Sequence, residues 1–382
     1  MKKRIYVDHA ATTQLFPEAL EAMLPYLKNK YGNPSTLYSF AREPYKAVEE
    51  SRKKIAEIIG ADENCIYFTS GGTESDNWAL KSIAFQYLGK RKRIITSSIE
   101  HHAILNTCKF LEKLGFEIVY LPVKHDGTVS VKELSKAINT ETILISIMMA
   151  NNEIGTIQNI FELAQEAHKY KIIFHTDAVQ AIGHIPVNIK ELGVDMLSAS
   201  AHKFGGPKGI GFLYVSNRIK LNPYIDGGGQ EKGMRSGTEN VASIVGMKRA
   251  LEISIDKIDN KMEYLSNLSK YFINDIKNVG LSFIINGSNN RIPGSISISF
   301  KDVEGEMLLH RLDLKGICVS TGSACNSKNT ELSHVLKAID INRDYAFGTI
   351  RITLGLENTL DDIKYIVKTI KEILSSKYNS IY

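Results

Sequence analysis

The chain is poor in cysteine, and the few it has are not arranged for zinc or disulfide chemistry. Cys65, Cys108, Cys318 and Cys325 form no CxxC element and no zinc-ligand spacing. Unpaired thiols point to a reducing, cytoplasmic setting. Long hydrophobic runs are absent as well. The longest largely apolar stretch, Ile143 to Ala150, falls far short of the ~20 residues that span a bilayer, so no membrane partner is expected. Met1-Lys-Lys-Arg4 could open a signal peptide, but Asp8 and His9 arrive before an apolar segment can form. The one basic run, Lys90-Arg-Lys-Arg93, has no face of interleaved aromatics beside it, which argues against direct nucleic-acid binding. The GxGxxG and Walker patterns are missing, as are internal repeats and low-complexity tracts.

What is present suits a soluble globular protein of two domains. The 382 residues are 43% hydrophobic and 23% charged, with a net charge of +5 spread along the chain. After helical stretches at Pro17–Lys28 and Glu43–Ile59, strand-like and helix-like runs alternate, the pattern of a mostly parallel sheet covered on both faces. Seven strands are expected, at 65–69, 93–97, 117–121, 142–149, 171–175, 196–201 and 210–215. Helices are expected between them at 75–87, 102–114, 131–138 and 160–170. The large α/β domain is expected to cover residues 13–256. A smaller α+β domain takes residues 1–12 and 257–382, with helices at 258–279, 304–312 and 360–375.

The chemistry concentrates where those strands end. Ser198 to Gly211 reads SASAHKFGGPKGIG and delivers Lys203 into a glycine turn with backbone room for a flat ligand. A lysine amine so placed is a candidate for a Schiff base. Asp177 ends an earlier strand and is the kind of acid that keeps a pyridine nitrogen protonated. Thr69-Ser-Gly-Gly-Thr-Glu74 joins a strand to a helix, and unpaired amides at such a terminus bind phosphate. A plain βα turn with a serine cap explains that motif equally well in isolation. His101 follows another strand and can stack on a ring or move protons, or simply cap the next helix. Asn152 follows a fourth strand, and Gln180 comes three residues after Asp177. Five strand ends thus bring Thr73, His101, Asn152, Asp177 with Gln180, and Ser200, His202 and Lys203 to one rim. A phosphate cup, a stacking ring, a pyridinium acid and a lysine together fit pyridoxal 5'-phosphate (PLP).

The motifs also carry a resemblance. ATT at 11–13, GNPS at 32–35, FTSGGTESDN at 68–77, EH at 100–101, NNEIG at 151–155 and HTDAVQA at 175–181 are joined by HKFGGPKG at 202–209, RSGTEN at 235–240, STGSACNS at 320–327 and IRITLG at 350–355. Through them the chain resembles the class V, fold type I PLP enzymes and, within these, the NifS/IscS group of cysteine desulfurases. The resemblance implies that Lys203 carries the cofactor, Asp177 holds its pyridine nitrogen and His101 stacks on its ring. It places Asn152 and Gln180 near the ring hydroxyl. Gly72, Thr73, Ser200, Ala201 and His202 surround the phosphate, and Thr238 completes that cup in the partner subunit of a homodimer. Asn152 and Arg351 hold the substrate carboxylate. Ala201 stands where many relatives have glycine, and Asn326 where threonine is common.

Cys325 distinguishes the implied reaction from transamination. It lies in a polar, small-residue stretch (residues 320–331) that is expected to be a mobile loop, whereas Cys65 and Cys318 lie in strand-like runs and Cys108 on a helix, as buried structural cysteines do. The resemblance implies that L-cysteine displaces Lys203 from PLP and that Lys203 then removes the α-proton. The Cys325 thiolate attacks the substrate sulfur, becomes a persulfide, and alanine leaves. The sulfur would pass to an acceptor protein for iron–sulfur cluster assembly or tRNA thiolation, with Cys325 also a candidate transient iron–sulfur ligand. The alternatives are a selenocysteine lyase, an alanine–glyoxylate-type aminotransferase, or a sulfur carrier with a vestigial site.

Overall fold

The computed structural model describes residues 4–90, 92–256, 258–321 and 332–378. The chain opens with a two-residue strand, β1 (Ile5–Tyr6), and then builds its large sheet from β2 (Ile66–Thr69), β3 (Arg93–Ser97), β4 (Glu117–Leu121), β5 (Thr142–Ser146), β6 (Ile173–Asp177), β7 (Met196–Ser200) and β8 (Gly211–Val215). The seven strands lie in the order β2-β8-β7-β6-β5-β3-β4. Only β8 runs against its neighbours; β2, β3, β5, β6 and β7 all end at the same edge. Every residue of β5, β7 and β8 is buried, so none of these strands presents a face to solvent. This is the α/β architecture expected, and the ends of parallel strands are where such sheets bind ligands.

Several boundaries differ from the expected ones, each for a local reason. The strand expected at 171–175 is displaced to Ile173–Asp177, because the helix Ile160–Lys169 closes through a left-handed turn at Lys171 (φ +59°), with the Ile172 amide donating back to Ala167 O. Asp177 is therefore the last residue of β6. The strand expected to reach residue 149 stops as a ladder at Ser146, although the amides of Ile147 and Met149 still donate to the carbonyls of His175 and Asp177. The helix expected from residue 75 starts at Gly72, since Gly71 takes a φ of +149° that turns the chain sharply out of β2. Cys65 lies in a 3₁₀ turn, Glu63–Cys65, just outside β2. The helix Val241–Ile255 was not anticipated: it is apolar on most sides, so no stripe marks it in the sequence.

The C-terminal third forms an antiparallel sheet, β9 (Phe283–Asn286), β10 (Ser295–Phe300) and β12 (Thr349–Thr353), in the order β12-β10-β9. β1 pairs in parallel with β11 (Ile317–Cys318), so Ile5 and Val7 pack in one core with Phe272, Ile298, Ile350 and Ile370. Strand alternation sends Ile296, Ile298, Ile350 and Ile352 into that core. The opposite face carries Ser295, Ser297, Ser299 and Arg351, with Ser297 directly across from Arg351. That polar face meets the large sheet: a β-bridge joins Thr156 to Arg291, and Gly155 abuts Ser295.

Candidate active site

A cavity of about 540 Å³ opens at the edge where the parallel strands end. It is lined by Gly72, Thr73, His101, Asn152, Asp177, Gln180, Ser200, His202, Lys203 and Arg351, which brings together most of the residues singled out above. Ala201 and Thr238 do not line it. Ala201 is fully buried under the lysine turn, where its carbonyl accepts the amides of Phe204 and Gly206. Thr238 is exposed. Cys325 falls outside the described residues.

The lysine turn is fastened to the N-terminal segment. Lys203 Nζ donates to the carbonyls of Ala10 at 2.6 Å and Ala11 at 2.8 Å. Thr13 donates its amide and hydroxyl to the His202 carbonyl, both at 2.9 Å, and its oxygen accepts Gly205 N at 2.8 Å. The ATT motif thus acts as the other half of the lysine's cradle. Gln180 also donates to Ala10 O, at 2.9 Å, and His202 Nδ1 lies 3.2 Å from Thr12 Oγ1.

Asp177 sits deep in the site, its Oδ1 accepting the Val179 amide at 2.9 Å. Burial raises its carboxyl to about 6, while the amide bond and the Lys203 charge oppose that rise. His101 caps the helix His102–Lys113, its Nδ1 accepting the Ala103 amide at 3.1 Å, and its ring also lines the cavity. Burial, with the Lys203 charge, lowers the ring to about 4, so it is neutral at physiological pH. The glycine turn is tightly packed. A Cβ at Gly72 would come within 2.4 Å of Val179 Cγ2, so only glycine lets the helix N-terminus sit this close to Asp177's strand.

Arg351 is held from two sides. Its Nη1 donates to Asn152 O at 2.9 Å and its Nη2 to Asp8 Oδ1 at 2.7 Å. Nε is buried without a hydrogen-bond partner among the described residues. Asp8 and Glu153 were not recognised as site residues in the sequence. Glu153 follows Asn152 directly, lines the cavity, and accepts the Ser333 hydroxyl at 2.5 Å; burial raises it to about 7.

The three described cysteines are ill suited to act as nucleophiles. Cys65 and Cys108 are buried, and burial pushes the Cys108 thiol up to about 12; those of Cys65 and Cys318 also rise. No group of three or more metal-ligating side chains is found among the described residues, and no described helix is long and apolar enough to cross a membrane.

These features fit PLP. A helix N-terminus opened by glycine offers amides for a phosphate, and a lysine amine and a buried carboxyl line the same cavity. The chain is 54% identical to the cysteine desulfurase IscS of Dictyoglomus turgidum, over 98% of its own length and 95% of that protein's. It is 48% identical to the cysteine desulfurase IscS of Methanosarcina thermophila, over 99% and 93% of the two chains. Among solved structures, a NifS-like protein superposes with a TM-score of 0.93 at 39% identity, covering 98% of this chain and all of the other. A second, SspA in complex with cysteine, gives 0.82 at 37%, over 92% and 99%. Residues 5–366 match the aminotransferase class-V family, a PLP-dependent group, and the chain belongs to it.

Proposed function

We infer that this protein is a cysteine desulfurase, converting L-cysteine to L-alanine and leaving the sulfur as a persulfide on Cys325. One observation carries the reading beyond family membership. The described residues on either side of the Cys325 stretch are both tied to the substrate cavity. Ser320 exchanges backbone hydrogen bonds with Arg351, at 3.1 and 2.6 Å. Ser333 is bonded to Glu153, and Leu332, Ser333 and His334 line the cavity.

PLP, when bound, supplies an electron sink for the bond cleavages at the substrate's α and β carbons. The chain's own residues supply the rest. Gly72, Thr73, Ser200 and His202 hold the phosphate, and Asp177 holds the pyridine nitrogen. Arg351 binds the substrate carboxylate: it lines the cavity, and Asp8 and Asn152 fix the guanidinium plane. Lys203 Nζ takes the α-proton. The thiolate of Cys325 forms a bond to the substrate sulfur as the carbon–sulfur bond breaks, and the electron pair left on the β carbon is protonated to give alanine.

The protein works as a homodimer in this reading, with Thr238 reaching the partner's phosphate cup. Exposed Tyr31, Leu37, Tyr38, Phe40 and Tyr45 supply an apolar surface for a second subunit. The persulfide passes in the cytoplasm to an acceptor protein of iron–sulfur assembly or tRNA thiolation, where Cys325 can serve briefly as a cluster ligand. The direct test is incubation with L-cysteine, followed by alanine quantification and mass spectrometry of the Cys325 peptide. Alanine in step with a 32-Da gain on that peptide is the expected result, 32 Da being about the mass of one sulfur atom. Alanine production with no modified cysteine would overturn the assignment.

A further inference from the structure

A second carboxyl lies in the cofactor site that the reaction above does not use. Asp76, on the helix Gly72–Gln86, lines the cavity with Asp177 and is 1% exposed. Its Oδ1 is buried with no hydrogen-bond partner among the described residues. It ends a chain of buried polar groups under the ring site. Ser146 Oγ is 2.9 Å from His175 Nδ1, Ser198 Oγ is 3.0 Å from His175 Nε2, and the Ser198 hydroxyl also bonds the Asp76 carboxyl. Asp76 Oδ1 stands 3.7 Å from His175 Nε2.

Two adjoining buried carboxyls do not both ionise, and the surroundings decide which one keeps the charge. Asp177 has an amide donor at 2.9 Å and the attraction of Lys203. Asp76 has neither. The acids bearing on it are Asp177 and Glu100, and both disfavour a charge there. The imidazole at its side offers no cation, because the ring is fully buried and burial disfavours a charge on it.

We propose that Asp76 is a positioning residue of the cofactor site that works as a neutral carboxylic acid, terminating the Ser146–His175–Ser198 chain and leaving Asp177 as the one carboxylate that faces the pyridine nitrogen. The electrostatics agree. Burial, with the charge of Asp177, raises the Asp76 carboxyl well above its ordinary value, which favours its acid form, and burial pushes His175 down to about 3, which leaves that ring uncharged at neutral pH. This inference rests on the PLP reading.

The test compares wild type, Asp76→Asn and Asp76→Ala, each stripped of cofactor and then titrated with PLP. Two quantities are read: PLP affinity by fluorescence, and the pH dependence of the bound cofactor's absorbance. Asparagine mimics the neutral acid, so Asp76→Asn is expected to hold affinity within about threefold and leave the absorbance midpoint in place. Asp76→Ala removes the end of the hydrogen-bond chain and is expected to weaken PLP about tenfold or more and move the midpoint. A shift of about one pH unit in Asp76→Asn would show that Asp76 carries a charge, overturning the proposal. So would an Asp76→Ala protein identical to wild type in both readouts. If the alanine variant does not fold, Asp76→Asn decides alone. A wild type that fails to bind PLP would reject the cofactor reading itself, and this proposal with it.

Discussion

Arg351 Nη2 lies 2.7 Å from Asp8 Oδ1, an ion pair between residues 343 positions apart that joins the N-terminal segment to the last strand of the small sheet. The arginine is 3% exposed, and its second anchor is the carbonyl of Asn152, after β5 of the large sheet. Three parts of the chain therefore aim one guanidinium. Arg351→Lys loses the planar fork and should raise KM for cysteine about 10–100-fold while changing kcat much less, since a hydrogen bond to a charged group is worth about 1.5–3 kcal/mol. Asp8→Asn keeps an acceptor for Nη2 and should raise KM only a few-fold. Steady-state kinetics check both; an unchanged KM in Arg351→Lys would remove Arg351 from the substrate site.

Lys203→Ala should lose both covalent cofactor attachment and α-proton removal. Borohydride treatment should fix PLP to wild type but not to the variant, and alanine formation should drop by about 10²–10⁴-fold or more. Peptide mapping of the reduced wild type locates the attachment. A cofactor fixed at any lysine other than Lys203 would displace the assignment.

Cys325→Ala should divide the reaction into its halves. Cofactor binding and α-proton exchange with solvent do not need the thiol and should persist, while persulfide formation ceases and alanine release nearly stops. The buried Cys108 should behave differently: Cys108→Ala costs on the order of 1–3 kcal/mol of stability but leaves sulfur transfer within a few-fold. Deuterium exchange followed by mass spectrometry separates these outcomes. Persulfide formation that survives in Cys325→Ala and is lost in Cys108→Ala would reverse the roles.

Thr238 is exposed and lines neither the main cavity nor the outer cup formed by Ser70, Gly71, Thr73 and Lys208. If it serves the partner's phosphate, mixing an inactive Lys203→Ala chain with an inactive, bulky Thr238→Trp chain should restore about half of the sites in each heterodimer. Recovery of activity on mixing is the measurement; none at all after verified subunit exchange counts against the shared cup.

Glu100 is fully buried, accepting the Ser97 hydroxyl at 2.5 Å and the Met148 amide at 3.0 Å, and burial raises it to about 8. Its folded value lies above its unfolded one, so the stability it contributes is fully present below about pH 4.5 and is lost as pH rises through about 8. Glu100→Gln cannot ionise and keeps a carbonyl for both donors. Denaturant midpoints measured between pH 5 and 8 should therefore fall less steeply in the variant than in wild type. Asp177 and Glu153, raised to about 6 and 7, leave part of the slope in place. Identical slopes would mean that Glu100 is already ionised in the fold.

The large sheet was readable because its strands are buried on both faces: runs such as Thr142–Ser146 and Gly211–Val215 carry β-rich, largely apolar sequence. The glycine-flanked motifs after those strands were readable for the same reason, since a parallel sheet puts every strand's end at one edge. Less was visible where partners lie far apart. β9 is four residues long and draws its order from β10, and β1 becomes a strand only by pairing with β11.

The chain's local chemistry thus determined the residue types of the site, namely Lys203 in its glycine turn, Asp177 at a strand end and the Gly71–Gly72 helix start, since these follow from backbone sterics and periodicity. Which groups bear charge there was decided by the tertiary structure alone. Asp76 and Asp177 are both buried aspartates. Only the fold gives Asp177 the Val179 amide and the nearby Lys203 charge while leaving Asp76 Oδ1 without a hydrogen-bond partner among the described residues. Asp8 likewise reads as one more N-terminal acid until β1, β11 and β12 bring it against Arg351. Ionisation and aim depend on what lies within a few ångströms, and that neighbourhood is assembled from residues hundreds of positions apart.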